Sequence, residues 1–424
     1  MKGVSCTDIA TLAVAAVLVV VAAAVGVAVG VQAATPPLYA LWSPHVGLGT
    51  LPAVAIAVLV VVSGIRLASS LPWRRLLLSA YAASLGWTLS LTLIDGWREG
   101  VATQLTSDAE YLSALPVAAD IPTMIRTYAA RIVDFQPDSW NTQAAGHPPG
   151  ALLVFAVLDR VGLGGGVPAA LLCIAAGCVA AVAVPSALRS LGDEDAARAS
   201  VPFVVLFPGA VWVGVSADGL FLGVTAAAVA LLAAGVRRPW LAAMSGILFG
   251  FACFLSYGLI LMAPLAFAVA ISARRFRPLV WAAMGAAGVA AGFAVAGFWW
   301  YDGYTAIRIR YYQGIASQRP YWYWVWANFG ALAANAGPAG FVAARRALVS
   351  RSGPAALLCF GAIAAIVVAD LSGLSKAEVE RIWLPFAVWL AAAARFLPRA
   401  SRPFWLAIQA VTAVTVNHLF HTVW

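Results

Sequence analysis

Fourteen apolar runs of roughly 15–23 residues follow one another along this chain, most of them with short polar breaks between them and two separated by the long polar stretch 95–148. A helix of about 20 apolar residues matches the roughly 30 Å hydrocarbon core of a bilayer. The expected fold is therefore an all-α polytopic membrane protein, a single integral membrane domain over 1–424. Only 10% of the residues are charged, against about 25% in a soluble domain. The runs fall at about 9–31, 51–67, 76–96, 149–163, 167–188, 199–216, 218–236, 240–255, 257–273, 279–299, 323–344, 354–371, 382–396 and 403–420.

The net charge of +9 comes mostly from arginines clustered between runs, and Lys2 and Lys376 are the only lysines. Such clusters set membrane orientation, so the positive balance is weak evidence for nucleic acid, and none is expected as a partner. Arg66, Arg74 and Arg75, Arg237 and Arg238, Arg274 to Arg277, Arg345 to Arg351, and Arg395 to Arg402 mark one side as cytoplasmic. The N-terminus with Lys2 then lies on that side. Segments 32–50, 95–148, 301–322, 371–381 and the tail 417–424 lie on the other. Fourteen spans cannot join an inside start to an outside end. The short run 149–163, ending in Asp159-Arg160, and 199–216, with Pro202 and Pro208, are the weakest. The expectation is about 13 transmembrane helices.

The run 9–31 is too long for a signal-peptide core and reads as a retained helix. Four of the five cysteines lie inside apolar runs, so no disulfide framework is expected. No metal-type Cys/His spacing occurs; no cofactor is expected, and a divalent metal is left open. No 20–50 residue repeat is visible.

The polar stretch 95–148 is the expected extracytoplasmic loop. It carries Ser-Asp-Ala-Glu-Tyr at Ser107 to Tyr111. Asp108 or Glu110 at a membrane surface can act as a general base toward a hydroxyl, or both can be plainly solvated loop acids. Asp120 to Phe135 places Ile121, Ile125, Tyr128 and Ile132 on one helical face, with Arg126 and Arg131 elsewhere. That spacing predicts an interfacial amphipathic helix with its basic side toward headgroups, or an ordinary loop helix. His147-Pro148-Pro149-Gly150 then stiffens the entry to the next run. His147 can bind phosphate, orient an acid, or merely anchor the interface.

Two later segments also carry charge. Arg308 and Arg310 sit in 301–322 among aromatic residues that suit an interfacial belt. Arginine matches phosphate oxygens in two-point geometry. Lys376, Glu378, Glu380 and Arg381 stand where a run begins again; charges there pair with each other or serve a polar cavity. Asp218 opens a helix, where the dipole favours a negative charge.

The order of these elements resembles the integral-membrane glycosyltransferases of the GT-C superfamily, most nearly the protein O-mannosyltransferases and the bacterial transferases that move aminoarabinose onto lipid A. The likeness covers roughly Thr106 to Val236. It runs through the loop acids, His147-Pro148-Pro149, Phe207-Pro208-Gly209 and Ser216-Ala217-Asp218. Here Ala109 separates acids that are adjacent in those families, and Gly150 stands in place of their leucine. The resemblance implies a GT-C-like bundle. It implies inverting transfer of a sugar from a polyprenyl-phosphate donor to an extracytoplasmic hydroxyl on a glycan, lipid or protein. Asp108 is the expected base and Glu110 its neighbour. His147, Arg126, Arg308, Arg310, Lys376, Glu380, Arg381 and Asp218 form the expected substrate-binding set. The setting is a bacterial plasma membrane in contact with lipids. A transporter or lipid flippase using Asp159, Arg160, Asp218 and Asp370 is the rival, and a scaffold for envelope assembly is a third reading.

Overall fold

The computed structural model describes residues 3–214 and 216–422. The expectations resting on Lys2 and on positions 423–424 of the tail lie outside these residues. Among the described residues the chain is all-α apart from a short antiparallel pairing of Ala40–Trp42 with Phe420–Thr422 and an isolated bridge between Thr35 and Leu38. Among the described residues, six helices are long and apolar enough to cross a membrane: Cys6–Val29, Thr50–Ser70, Gly166–Ser190, Asp218–Arg237, Arg277–Val295 and Gly353–Leu371. Burial sorts them. Only 17% of Cys6–Val29 and of Arg277–Val295 is buried, so these two are peripheral, whereas Asp218–Arg237 is 67% buried and central. Pro239–Leu255, Tyr257–Ala273 and Leu384–Phe396 are shorter apolar helices.

Polar side chains collect at the two ends of these helices. At one end Asp8 closes a capping box with Ser5 and binds both Arg345 and Arg346. There Asp193 caps the helix Glu194–Val205 and pairs with Arg395, while Glu194 pairs with Arg189 and Arg198. At the other end five stretches of chain touch one another. His45 Nε2 lies 2.8 Å from Asp95, and Gln104 donates to the Thr422 carbonyl. Arg310 pairs with Asp134, and Arg319 donates to the carbonyls of Gln32 and Lys376. Segments 32–50, 95–148, 301–322 and 371–381 and the chain end at 417–422 thus share one polar layer.

Three elements depart from the sequence pattern. The amphipathic stretch 120–135 is helical only over Ile121–Thr127, with a 3-10 turn at Ala129–Arg131. Its apolar face is buried in protein. The Tyr128 ring centroid lies 5.0 Å from Trp140 and 5.8 Å from Phe298, and the Tyr128 hydroxyl donates to Ala144. The chain returns through Trp140 and covers the face that would otherwise meet lipid.

The run 149–163 forms only Pro149–Arg160. Twelve residues rise about 18 Å, too little to span. Both ends stay in one polar layer, since Arg160 donates to the Ala119 carbonyl. Gly150 is required by packing: a Cβ there would stand 2.4 Å from the Phe254 carbonyl oxygen.

The helix Tyr321–Ser350 is broken at Gly337, with φ +72°, just before Pro338. The Gln409 side chain repairs the break, accepting from the Ala339 amide and donating to the Ala336 carbonyl.

Candidate functional site

Local turn geometry decides which loop acid faces inward. The Glu110 amide donates to the Ser107 carbonyl, and Asn141 Nδ2 donates to the Glu110 carbonyl at 2.6 Å. This clamp turns Glu110 inward, where it is 1% exposed, and leaves Asp108 on the surface. One wall of the pocket that Glu110 enters comes from the start of the helix Asp218–Ala234. There Asp218 accepts from Ser216 Oγ at 3.1 Å. A second wall is His147, whose Nδ1 donates to the Gln143 carbonyl at 2.9 Å. That bond leaves Nε2 as the ring's acceptor. The His147 ring sits between Tyr111 and Phe221, at 5.7 and 5.5 Å. Arg381, from the short helix Val379–Ile382, forms the third wall and places Nη1 2.7 Å from Asp218 Oδ2.

Behind Arg381 the charges continue. Glu378 Oε2 binds Arg381 Nη2 at 2.7 Å, and Glu378 Oε1 binds Arg319 Nη1 at 2.9 Å. Lys376 Nζ donates to the Ala316 carbonyl at 2.6 Å and lies 5.5 and 5.1 Å from the ring centres of Tyr311 and Tyr312. Ala377 and Glu378 are consecutive non-glycine residues in the left-handed region, with φ 67° and 63°. Such residues cost of order 1–2 kcal/mol each and persist only where surrounding contacts hold them.

Burial pushes the Glu110 carboxyl up to about 7, against the pull of Arg381 and with help from the Asp218 charge. Its Oε2 has no hydrogen-bond partner among the described residues. Burial lowers the His147 pKa, so the ring is neutral at neutral pH. Burial also opposes ionisation of Glu378, but Arg381 and Arg319 together outweigh it and hold that carboxyl below its ordinary value. The walls close so tightly around Glu110 that almost no space is left between them for even a water-sized molecule. A ligand larger than a few atoms enters only if a wall moves.

Of the residues singled out in the sequence, Glu110, His147, Asp218 and Arg381 line one pocket, and Lys376 adjoins it through Arg319 and Glu378. Glu380 is fully buried beside it and accepts from the Tyr39 amide at 2.8 Å, and burial raises its carboxyl to about 7. Asp108, Arg126 and Arg308 are surface residues, Arg126 donating to Thr123 Oγ1 at 3.0 Å. Arg310 is taken up by Asp134. The structure adds Tyr111, Gln143 and Arg319, and it makes Glu378, one of the charges noted at the start of the last runs, the shared partner of Arg319 and Arg381. A lone arginine directly before Pro320 at the mouth of an apolar run was the available signal for Arg319; Gln143 carries none. Among the described residues no three His, Cys, Asp or Glu side chains are placed to share a metal ion.

No protein-family model matches the chain, and no curated protein matches it. Among solved structures it is similar to ArnT from Cupriavidus metallidurans in the apo state, with 14% sequence identity and a TM-score of 0.42. The match covers 67% of this chain and spans 58% of the length of ArnT.

Proposed function

We propose that this protein is an integral-membrane glycosyltransferase that moves a sugar from a polyprenyl-phosphate donor to the hydroxyl of a glycan, lipid or protein acceptor, with Glu110 as the general base. The observation that carries this reading is the Glu110 carboxylate. It is buried, raised to about 7, and has one oxygen without a partner in a pocket whose opposite wall is Arg381. A base works best when its pKa lies near the working pH. Between the two loop acids this favours Glu110, because the side chain of Asp108 lies outside the pocket.

Glu110 takes the proton of the acceptor hydroxyl as its oxygen attacks the anomeric carbon. The carbon–oxygen bond to the lipid phosphate breaks, and the phosphate leaves with that electron pair. Arg381, Arg319 and Lys376 supply the positive charge that steadies it. Neutral His147 offers Nε2 as an acceptor to a sugar or acceptor hydroxyl, and Tyr111 and Phe221 offer ring faces. One displacement with one base inverts the anomeric centre. On this reading the chain makes about thirteen traverses, six of them by helices long and apolar enough to cross alone, with Pro149–Arg160 as a segment that stays in one layer. On this reading the arginine clusters face the cytoplasm, and the site layer with loop 95–148 lies on the extracytoplasmic face of a bacterial plasma membrane.

The test is transfer of labelled sugar from a panel of polyprenyl-phosphate donors by membranes carrying wild type, Glu110→Gln or Asp108→Asn. The expected result is transfer by wild type and Asp108→Asn and none by Glu110→Gln. Folded wild-type protein that transfers from no donor, or Glu110→Gln with full activity, removes this reading.

A further inference from the structure

We propose that the space between Arg319 and Arg381 is a binding seat for a phosphate group, occupied in this structure by the protein's own Glu378, and that a phosphate ligand enters by displacing that carboxylate. The inference rests on the transferase reading only in making the donor's phosphate the natural occupant.

Four observations lead to it. Glu378 gives one oxygen to each of two guanidinium groups, Oε1 to Arg319 at 2.9 Å and Oε2 to Arg381 at 2.7 Å. Two oxygens bridging two arginines is the contact a phosphate would make in the same place. Arg319 is only 5% exposed, and its Nη2 has no hydrogen-bond partner among the described residues, so a buried donor is left over for a ligand with a third oxygen. The carboxylate is held there by a backbone bent against its preference, at Ala377 and Glu378 in succession. Finally, the Glu378 side chain retains 18% of its exposure, which gives it a way out.

Charge favours the exchange. With Glu378 in place, Arg319 and Arg381 face Asp218 and Glu378, two cations against two anions. Once Glu378 withdraws, two guanidinium groups face one anion, which leaves positive charge for a phosphate to neutralise. The exchange also relaxes the left-handed pair. Because Arg381 lines the pocket that holds Glu110, the seat opens directly onto the proposed reacting centre.

The probes are inorganic phosphate and dodecyl phosphate, titrated into the full chain in nanodiscs and read by thermal midpoint and by calorimetry, without any sugar transfer. Removing the internal competitor in Glu378→Gln is expected to tighten phosphate binding at least about tenfold, as expected when the competent state is below a tenth of the population. The same variant is expected to be less heat-stable without phosphate and to be rescued by it. Arg319→Gln is expected to bind neither probe. Ala377→Gly lets the occupied form relax and is expected to weaken phosphate binding about fivefold. That variant decides the matter if Glu378→Gln fails to fold even in phosphate. Tighter binding of dodecyl phosphate than of inorganic phosphate names a lipid-linked ligand; equal binding names a free phosphate. Equal affinity of wild type and Glu378→Gln, or unchanged affinity in Ala377→Gly, overturns the seat. Phosphate binding without sugar transfer would leave the seat standing and remove the transferase, and transfer with no displacement of Glu378 would do the reverse.

Discussion

The two polar layers of this molecule use the same residue types to opposite ends. In the layer around Asp8, Asp193 and Glu194, every oxygen of the three carboxylates has a partner. Asp8 is bound by Arg345, Arg346 and the Ser5 amide, Asp193 by Arg395 and the Ala196 amide, and Glu194 by Arg189 and Arg198. These acids also stand at helix starts, where the dipole favours them. In the layer around Glu110, carboxylate oxygens of Glu110 and Glu380 go without partners, and two consecutive residues hold a left-handed backbone. Buried polar groups in native proteins are normally satisfied; the Asp8 layer has an exception on its arginine side, Arg345 Nε, and the contrast lies in the carboxylates. One layer ties helices together; the other leaves carboxylate oxygens unsatisfied, as the proposed ligand site requires.

The sharpest way to break this contrast is to remove one acid from each layer. Glu110→Gln is expected to lower transfer about 10³-fold, within the range of a lost general base, and to leave thermal stability unchanged or higher. Asp8→Asn is expected to do the opposite. It strips the charge partner from two arginines and should lower stability by about 3 kcal/mol, with turnover per folded molecule unchanged. Turnover and thermal denaturation measured on both variants decide this. A loss of stability in Glu110→Gln comparable to that in Asp8→Asn would make the site layer just another structural tie.

A smaller effect follows from pH. The Glu110 carboxyl has an ordinary value of 4.5 and is held at about 7 in the fold. A group raised by folding contributes stability that is fully present below about 4.5 and is lost as pH rises to about 7. The loss is about 3 kcal/mol at 1.36 kcal/mol per pH unit. Glu380 behaves in the same direction, so the informative quantity is the difference between wild type and Glu110→Gln. Denaturation curves should show wild type weakening relative to the variant between those pH values. Transfer should rise as the pH passes through about 7, where Glu110 in the fold loses its proton. A pH-independent difference between the two proteins would mean that Glu110 is already ionised and paired.

Much of this was legible in the residues. Apolar runs of this length became helices because a helix satisfies its backbone groups within one segment, without partners from elsewhere in the chain. The polar segments carrying Glu110, His147, Asp218 and Arg381 stood out because charges are scarce here, and those four side chains do line one pocket. What the residues could not reveal was the direction of side chains within a loop. Asp108 and Glu110 lie two positions apart, and the choice between them rests on the Asn141 clamp, made from the far end of the same loop. The face of Ile125, Tyr128 and Ile132 has the spacing of a lipid-seeking helix, but Trp140 and Phe298 cover it. Arg319 reads as part of an aromatic belt until Glu378 is seen beside it. Each miss is a long-range contact, which local pattern does not encode.

The smallest predicted effect separates two arginines of the segment 301–322. Arg308 lies on the exposed face of the helix Trp300–Gln313 and makes no ion pair among the described residues. A cation free in solvent or at a headgroup surface contributes little to stability, and its replacement stays within about 0.5 kcal/mol. Arg319 is buried, bridges to Glu378, and donates to two carbonyls. Arg308→Gln should therefore leave the thermal midpoint and the affinity for dodecyl phosphate unchanged, whereas Arg319→Gln should lose that affinity. The comparison is informative because both substitutions remove the same charge from the same segment. A screened, long-range attraction would be reduced by either one. A seat with fixed geometry responds only to the arginine that forms it. Equal losses from the two substitutions would mean that the site layer attracts phosphate by its overall charge alone.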